Sequence, residues 1–160
     1  MSLRSKSEPL SARALKTRAV AWLATREYTR AELAQKLLRL AQAPEDVEQV
    51  LDDLERQGWQ SDARFAQSFS HVKATKQGAA LIAQGLRRKG VDPSLIARTL
   101  DSLGASELER ARAVWRKKFG AIGLATDAKE RARQARFLAG RGFTGEVIWQ
   151  VIGQPDEVSD

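Results

Sequence analysis

The chain has no cysteine, which excludes disulfide scaffolds, thiolate zinc sites and cysteine nucleophiles. It has one histidine, His71, with no carboxylate cluster near it in sequence. A metal centre needs several converging ligands, so no metal is expected, and His71 reads as a structural or surface residue. Four prolines in 160 residues leave room for long helices. No apolar run approaches the ~20 residues that cross a bilayer, and Met1 to Leu10 lacks the apolar core of a signal peptide. No membrane is therefore expected, and the expected compartment is the cytoplasm. The only candidate phosphate loop, Gly120-Ala121-Ile122-Gly123, lacks the following Lys-Ser/Thr of a P-loop, and no serine nucleophile elbow is found. No cofactor and no catalytic residue are expected; an enzyme would have to be built on His71 with carboxylates brought near it by folding.

What the chain does have is basic charge. There are 27 Lys plus Arg against 20 Asp plus Glu, a formal net charge of +7. The excess is uneven. Residues 1–60 carry ten basic and nine acidic side chains, whereas residues 61–152 carry 17 and eight. Such a surplus favours an anionic partner, nucleic acid first and a membrane surface second. The acidic clusters Glu45-Asp46-Val47-Glu48 and Asp52-Asp53-Glu55 read as helix-dipole charges and a solvated face.

The apolar spacing is helical almost throughout and predicts an all-α fold. Leu15, Ala19, Trp22 and Leu23 form one stripe; Val47, Val50, Leu51 and Leu54 form another; Phe65, Phe69 and Val72, then Ile96, Leu100 and Leu103, continue the pattern. The tryptophans and phenylalanines fall mostly on such stripes and read as core. Helix starts recur with one geometry. Thr29 and Glu32 form a capping box with a Tyr28–Leu33 staple. Asp92 before Pro93 is an N-cap with a Val91–Ile96 staple, and Phe143-Thr144 gives a Phe143–Ile148 staple. Gly90 and Gly142 stand where a left-handed residue would end the preceding helix.

These features repeat. Leu37, Leu86 and Leu138 correspond at offsets of 49 and 52 residues, as do Ala41, Gly90 and Gly142, then Val47, Ile96 and Ile148, then Leu51, Leu100 and Ile152. Each repeat reads as three helices. The boundaries are a flexible N-terminus 1–10, three-helix units at 11–58, 61–104 and 105–152, and an acidic tail 153–160. A unit of that size is small to bury a full core alone, so an elongated tandem array with neighbours packed end to end is expected.

Basic clusters are the candidate contact residues. Arg87, Arg88 and Lys89 close the second helix of unit two. Arg112, Arg116, Lys117 and Lys118 lie on the first helix of unit three, which also carries Arg110, and Arg112 and Arg116 share a face. Arg131, Arg133, Arg136 and Arg141 lie on its second helix. Such a face can meet phosphates or an acidic protein surface.

Three stretches resemble the RecX regulatory proteins of bacteria. They are Arg26-Glu27-Tyr28-Thr29-Arg30-Ala31-Glu32-Leu33-Ala34-Gln35-Lys36-Leu37; Gly58-Trp59-Gln60-Ser61-Asp62-Ala63-Arg64-Phe65-Ala66 followed by Gly78, Ile82, Leu86 and Lys89-Gly90; and Lys129 with Phe137-Leu138-Ala139-Gly140-Arg141-Gly142-Phe143 and Ile148. Their order and spacing carry the match over about residues 14–152. The resemblance implies a tandem array of three-helix units. It also implies a partner, the RecA recombinase: the protein would lodge in the groove of the RecA filament on DNA and inhibit its recombinase, ATPase and co-protease activities, and so modulate DNA repair and the SOS response. Direct contact with DNA and a monomeric state are the accompanying expectations. The other reading is a general helical DNA-binding protein that acts without RecA. The chain departs from the family pattern at Leu40-Ala41-Gln42-Ala43, where a glycine turn is usual, at Gly85, where a charge is commoner, and at Trp59, where tyrosine or leucine is commoner.

Overall fold

Local helix signals become nine helices among the described residues, 8–153 of a computed structural model. They are α1 (Ala12–Leu23), α2 (Arg30–Leu38), α3 (Pro44–Arg56), α4 (Asp62–Ala74), α5 (Ala79–Arg88), α6 (Pro93–Asp101), α7 (Glu107–Phe119), α8 (Ala128–Gly140) and α9 (Gly145–Ile152). Among the described residues no strand forms; the one β-type contact is an isolated parallel bridge between Leu10 and Ala41. The all-α class predicted from periodicity is therefore observed. The acidic residues assigned to the tail, and residues 1–7 of the N-terminal segment, lie outside the described residues.

The chain divides into two compact bodies. One holds the described residues up to Phe65 together with Lys89–Val91; the other holds Ala66–Arg88 and the described residues from Asp92 onward.

In the first body, Leu15 and Ala19 of α1, Leu33 and Leu37 of α2, and Val47, Val50, Leu51 and Leu54 of α3 close one core with Tyr28. Their one-turn spacing points them all inward, which is why three short helices can share a core. The Thr29–Glu32 capping box forms as the sequence predicts. Thr29 Oγ1 accepts the Glu32 N–H at 3.1 Å and Glu32 Oε2 accepts the Thr29 N–H at 3.0 Å. The box also does something that its local sequence does not show. Thr29 is fully buried, and its hydroxyl donates to the Lys89 carbonyl at 2.7 Å while Glu32 Oε1 takes the Lys89 ammonium at 2.9 Å. One cap thus clamps the 89–91 turn. Gly90 of that turn has φ +80°, and a Cβ there would stand 2.5 Å from the Ala31 Cβ.

The glycine-free end of α2 is solved differently. Among the described residues no non-glycine has positive φ, so Ala41 does not adopt a left-handed cap. Instead the Leu40 carbonyl accepts the Leu10 N–H at 2.7 Å, and the Leu10 carbonyl accepts the Gln42 N–H at 3.0 Å. Leu10, expected in a flexible segment, is thereby held. The Leu37 carbonyl is met locally by the Leu40 and Ala41 amides, and the Leu10 bridge pairs the backbone of the connection that follows the helix.

The second body repeats the clamp with backbone alone. The Gly78 N–H donates to the Arg141 carbonyl at 2.7 Å. A Cβ on Gly78 would lie 2.4 Å from the Gly142 oxygen, and Gly142 has φ +87°. Thr29 and Gly78 are 49 residues apart, and Lys89 and Arg141 are 52 apart, the offsets of the sequence repeat. Ala111, Val114, Leu138, Phe143, Ile148 and Ile152 form the core of α7–α9. Asp92 and Thr144 cap α6 and α9 as predicted, accepting from the Ser94 and Val147 amides. The departure at Gly85 has a packing reason, since a Cβ there would meet the Phe69 ring at 2.7 Å. The departure at Trp59 falls on an exposed side chain.

Gly78→Ala should lower the urea midpoint at a cost of about 1–3 kcal/mol, because backbone stands in the way of the methyl group. Gly123→Ala, with nothing within 4 Å of the added carbon, should cost only about 1 kcal/mol for its left-handed backbone. Equal losses would contradict the close-approach argument. Glu32 supplies a pH test. Burial pushes its carboxyl upward, but the Lys89 ammonium and the Thr29 amide outweigh this and hold it below the ordinary 4.5. Its contribution is therefore present above the unfolded value and is lost as pH falls through the lowered native one. Thermal melts from pH 7 to 3 should show Glu32→Gln less stable at pH 7 and the difference shrinking in acid.

Candidate functional site

The basic residues split into those the fold uses and those it leaves free. Lys89 is used: its ammonium holds Glu32 and its carbonyl holds Thr29. Arg110, a basic neighbour of the candidate contacts on α7, is buried at 9% exposure and donates from Nη1 to the Gln77 carbonyl at 2.7 Å. The reason is register: Arg110 lies one turn before Val114 and beside Ala111, on the inward face of α7. Arg131 is half-buried, and its Nε is buried with no hydrogen-bond partner. Arg133 pairs with Glu130 at 3.1 Å and lies over the Phe119 ring. Arg87, Arg88, Arg112, Arg116, Lys117, Lys118, Arg136 and Arg141 are exposed.

The acidic face of α3 also has a task. Glu48, Asp52 and Glu55 take the Arg30 guanidinium at 2.8, 2.7 and 2.8 Å. Burial pulls the Arg30 pKa down, but the bonds to Asp52, Glu48 and Glu55 outweigh it and hold the value raised. The Arg30 N–H donates to Asp62 at 2.8 Å. One guanidinium against three exposed carboxylates leaves this face of α3 net acidic.

Of the predicted contact residues, three are brought together. Lys117 and Lys118 at the end of α7 and Arg141 after α8 line a cleft of about 350 Å3 with Lys76, Val114 and Phe137. Lys76 comes from the turn after α4, two residues before the Gly78–Arg141 clamp, so the clamp sets the cleft's width. Phe137 packs edge-on to buried Phe119 at 5.2 Å, which fixes its ring. The Arg141 guanidinium and Lys118 ammonium stand 5.1 and 5.7 Å from its centroid, where the π-face attracts cations. Among the described residues none of the four cations makes an ion pair. No carboxylate, imidazole, hydroxyl or thiol lines the cleft. Four unneutralised cations around apolar carbon repel one another and concentrate a positive field, which an entering anion relieves. This arrangement suits the binding of an anion. Lys76, Val114 and Phe137 were missed from sequence. Arg87, Arg88, Arg112, Arg116, Arg131, Arg133 and Arg136 do not line the cleft. His71 is exposed on α4, and no cluster of three potential metal ligands occurs among the described residues.

Comparison with known proteins gives three adjoining matches. Residues 16–54 match the family model described as RecX, first three-helix domain; residues 61–100 match the second; residues 105–152 match the third. The chain is similar to proteins named Regulatory protein RecX in Leptothrix cholodnii, 46% identical over 91% of this chain and 92% of that protein, and Chromobacterium violaceum, 46% identical over 88% and 90%. Its fold resembles the crystal structure of RecX from Lactobacillus salivarius, with a TM-score of 0.78 at 18% identity, covering 88% of this chain and 94% of that one.

If the cleft gathers phosphates or carboxylates, replacing Lys117, Lys118 and Arg141 with glutamine should weaken binding to heparin or duplex DNA. It should also flatten the log–log salt dependence by about 0.9 for each phosphate no longer neutralised. Arg87→Gln with Arg133→Gln, outside the cleft, should move the slope less. An unchanged slope in the triple variant would remove the cleft from the interface.

Proposed function

Because the chain belongs to the RecX family of regulatory proteins, we propose that it regulates the RecA recombinase by lodging in the groove of the RecA filament on DNA. The observation that supports this reading is the α7–α8 cleft with its four unpaired cations, a receptor for phosphate or for acidic recombinase surface. The three-helix units at 11–58, 61–104 and 105–152 act as successive contacts. Each is weak alone, but once one has docked the others meet their sites at high effective concentration. Occupying the groove keeps out partner DNA and a substrate repressor and hinders protomer addition. Recombinase, ATPase and co-protease activities fall together, and with them the drive of the SOS response. No bond is made or broken by the regulator, which works as a monomer in the cytoplasm, where the filament forms.

A second reading, a general DNA-binding protein, draws on the same cleft, since cations with no acidic neighbour suit bare phosphates equally well. The two differ in what the tightest target is.

The test is RecA-catalysed ATP hydrolysis on single-stranded DNA with increasing amounts of this protein, alongside its affinity for naked DNA. Inhibition at concentrations well below those that saturate naked DNA is expected. Removing Lys117, Lys118 and Arg141 should raise the concentration needed about tenfold, on the order of 0.5 kcal/mol per exposed contact. Tight binding to naked DNA with no effect on RecA would establish the second reading in place of the first.

A further inference from the structure

The α7–α8 cleft is held open by contacts that leave its four charges unneutralised. The turn that carries Lys76 is fixed on three sides. The Lys76 and Gln77 amides donate to the Lys73 carbonyl, both at 2.9 Å; buried Arg110 donates to the Gln77 carbonyl at 2.7 Å; and the Gly78 amide donates to the Arg141 carbonyl at 2.7 Å. The α7 and α8 walls are tied by Trp115 Nε1, which donates to Oε1 of fully buried Gln134 at 2.8 Å. Lys76, Lys117, Lys118 and Arg141 are themselves exposed, and a backbone held in this way keeps all four at the walls of one concavity of about 350 Å3. A first shell placed by such a second shell needs little reordering to take a ligand.

We infer that this cleft binds a short polyphosphate chain, two or more linked phosphoryl groups as in inorganic tripolyphosphate or the tail of a nucleoside triphosphate. This rests on the cleft being the anion receptor proposed above, and it commits that receptor to a compact polyanion. Four cations in one concavity repel one another, and several negative charges brought into the same space relieve them more than one charge does. Linked phosphoryl groups share a bridging oxygen and arrive bunched. A phosphodiester strand brings one charge per nucleotide with a sugar between each and the next, and an acidic peptide carries its carboxylates on separate side chains. The donors suit phosphoryl oxygen: three lysines act as point charges, and Arg141 offers a planar fork that can hold two oxygens at once. The volume stands at the lower end of the roughly 300–1,000 Å3 of small-ligand pockets, as a short chain requires. Besides the cations the walls are Val114 and Phe137, which carry no hydrogen-bonding group to read a nucleobase, so the phosphate chain is what the cleft recognises.

Isothermal titration calorimetry of the intact protein in a metal-free, low-salt Tris buffer tests this with three probes: sodium tripolyphosphate, ATP and AMP. Saturable binding of tripolyphosphate and ATP at similar affinity is expected, with AMP at least tenfold weaker. Lys76→Gln combined with Lys118→Gln should weaken tripolyphosphate at least tenfold. Both positions are exposed, so the helix content by circular dichroism should stay unchanged. Arg87→Gln with Arg88→Gln, two exposed cations of the same body outside the cleft, should change the affinity less than twofold. No saturable binding at millimolar tripolyphosphate, AMP as tight as ATP, full binding in the Lys76/Lys118 variant, or an equal loss in the Arg87/Arg88 variant would each overturn the proposal. Neither recombinase nor DNA is present in the titration. Failure here therefore leaves the proposed regulation of RecA standing, and a chain without effect on RecA could still bind the polyphosphate.

Discussion

A single backbone contact governs the geometry of the second body: the Gly78 amide on the Arg141 carbonyl. Only a residue without Cβ can come that close to the turn after α8. The approach fixes Lys76 and Arg141 as walls of one cleft, completed by the end of α7. The first body makes the corresponding joint with a side chain, Thr29, on the Lys89 carbonyl, and reinforces it with the Glu32–Lys89 ion pair. The repeat in the sequence is thus a repeat of a joint as well as of helices. A turn docks on the start of a helix, and the helix-start residue decides whether hydroxyl or bare amide makes the bond.

The same economy governs charge. Behind the net charge of +7 the cations fall into distinct kinds. Lys89 is spent on the largely buried Glu32, where leaving the partner alone would cost more than the pair yields, and Arg30 on three exposed carboxylates of α3. Arg110 is spent on a carbonyl and keeps an unmet donor. Lys76, Lys117, Lys118 and Arg141 remain free around one apolar ring. Lysines in the last turn of α7 are favoured by the helix dipole in any case, so their presence alone says little. Their convergence with cations from two other segments is what makes a site.

The parts of this arrangement legible in the sequence are the parts that are local. The Thr29–Glu32 box, the Asp92 and Thr144 caps and the left-handed Gly90 and Gly142 each follow from a few adjacent residues, and each formed. The offsets of 49 and 52 residues located the joints without revealing what they join. Lys76 could not be read as a site residue, because nothing near it in sequence marks it. It reaches the cleft only through a contact with a turn more than sixty residues away. The inward position of Arg110 has a local signal: it stands on the same stripe as Ala111 and Val114, whereas Arg112 and Arg116 stand on the opposite side. Glu48, Asp52 and Glu55, one helix turn apart, mark a face that can clamp a cation, but the pattern does not say which one. Ala41, lacking glycine's freedom, signalled that α2 must end another way; that Leu10 pairs the connection after it is again a non-local fact.

The proposed regulation of RecA has the chain meet the filament through the cations that the Gly78–Arg141 joint gathers. Hydrogen–deuterium exchange of the protein, free and bound to RecA filaments on single-stranded DNA, tests it most directly. Slowed exchange is predicted in peptides covering residues 73–78, 114–120 and 137–143. Protection confined to residues 8–65, with those three segments exchanging as in the free protein, would contradict it.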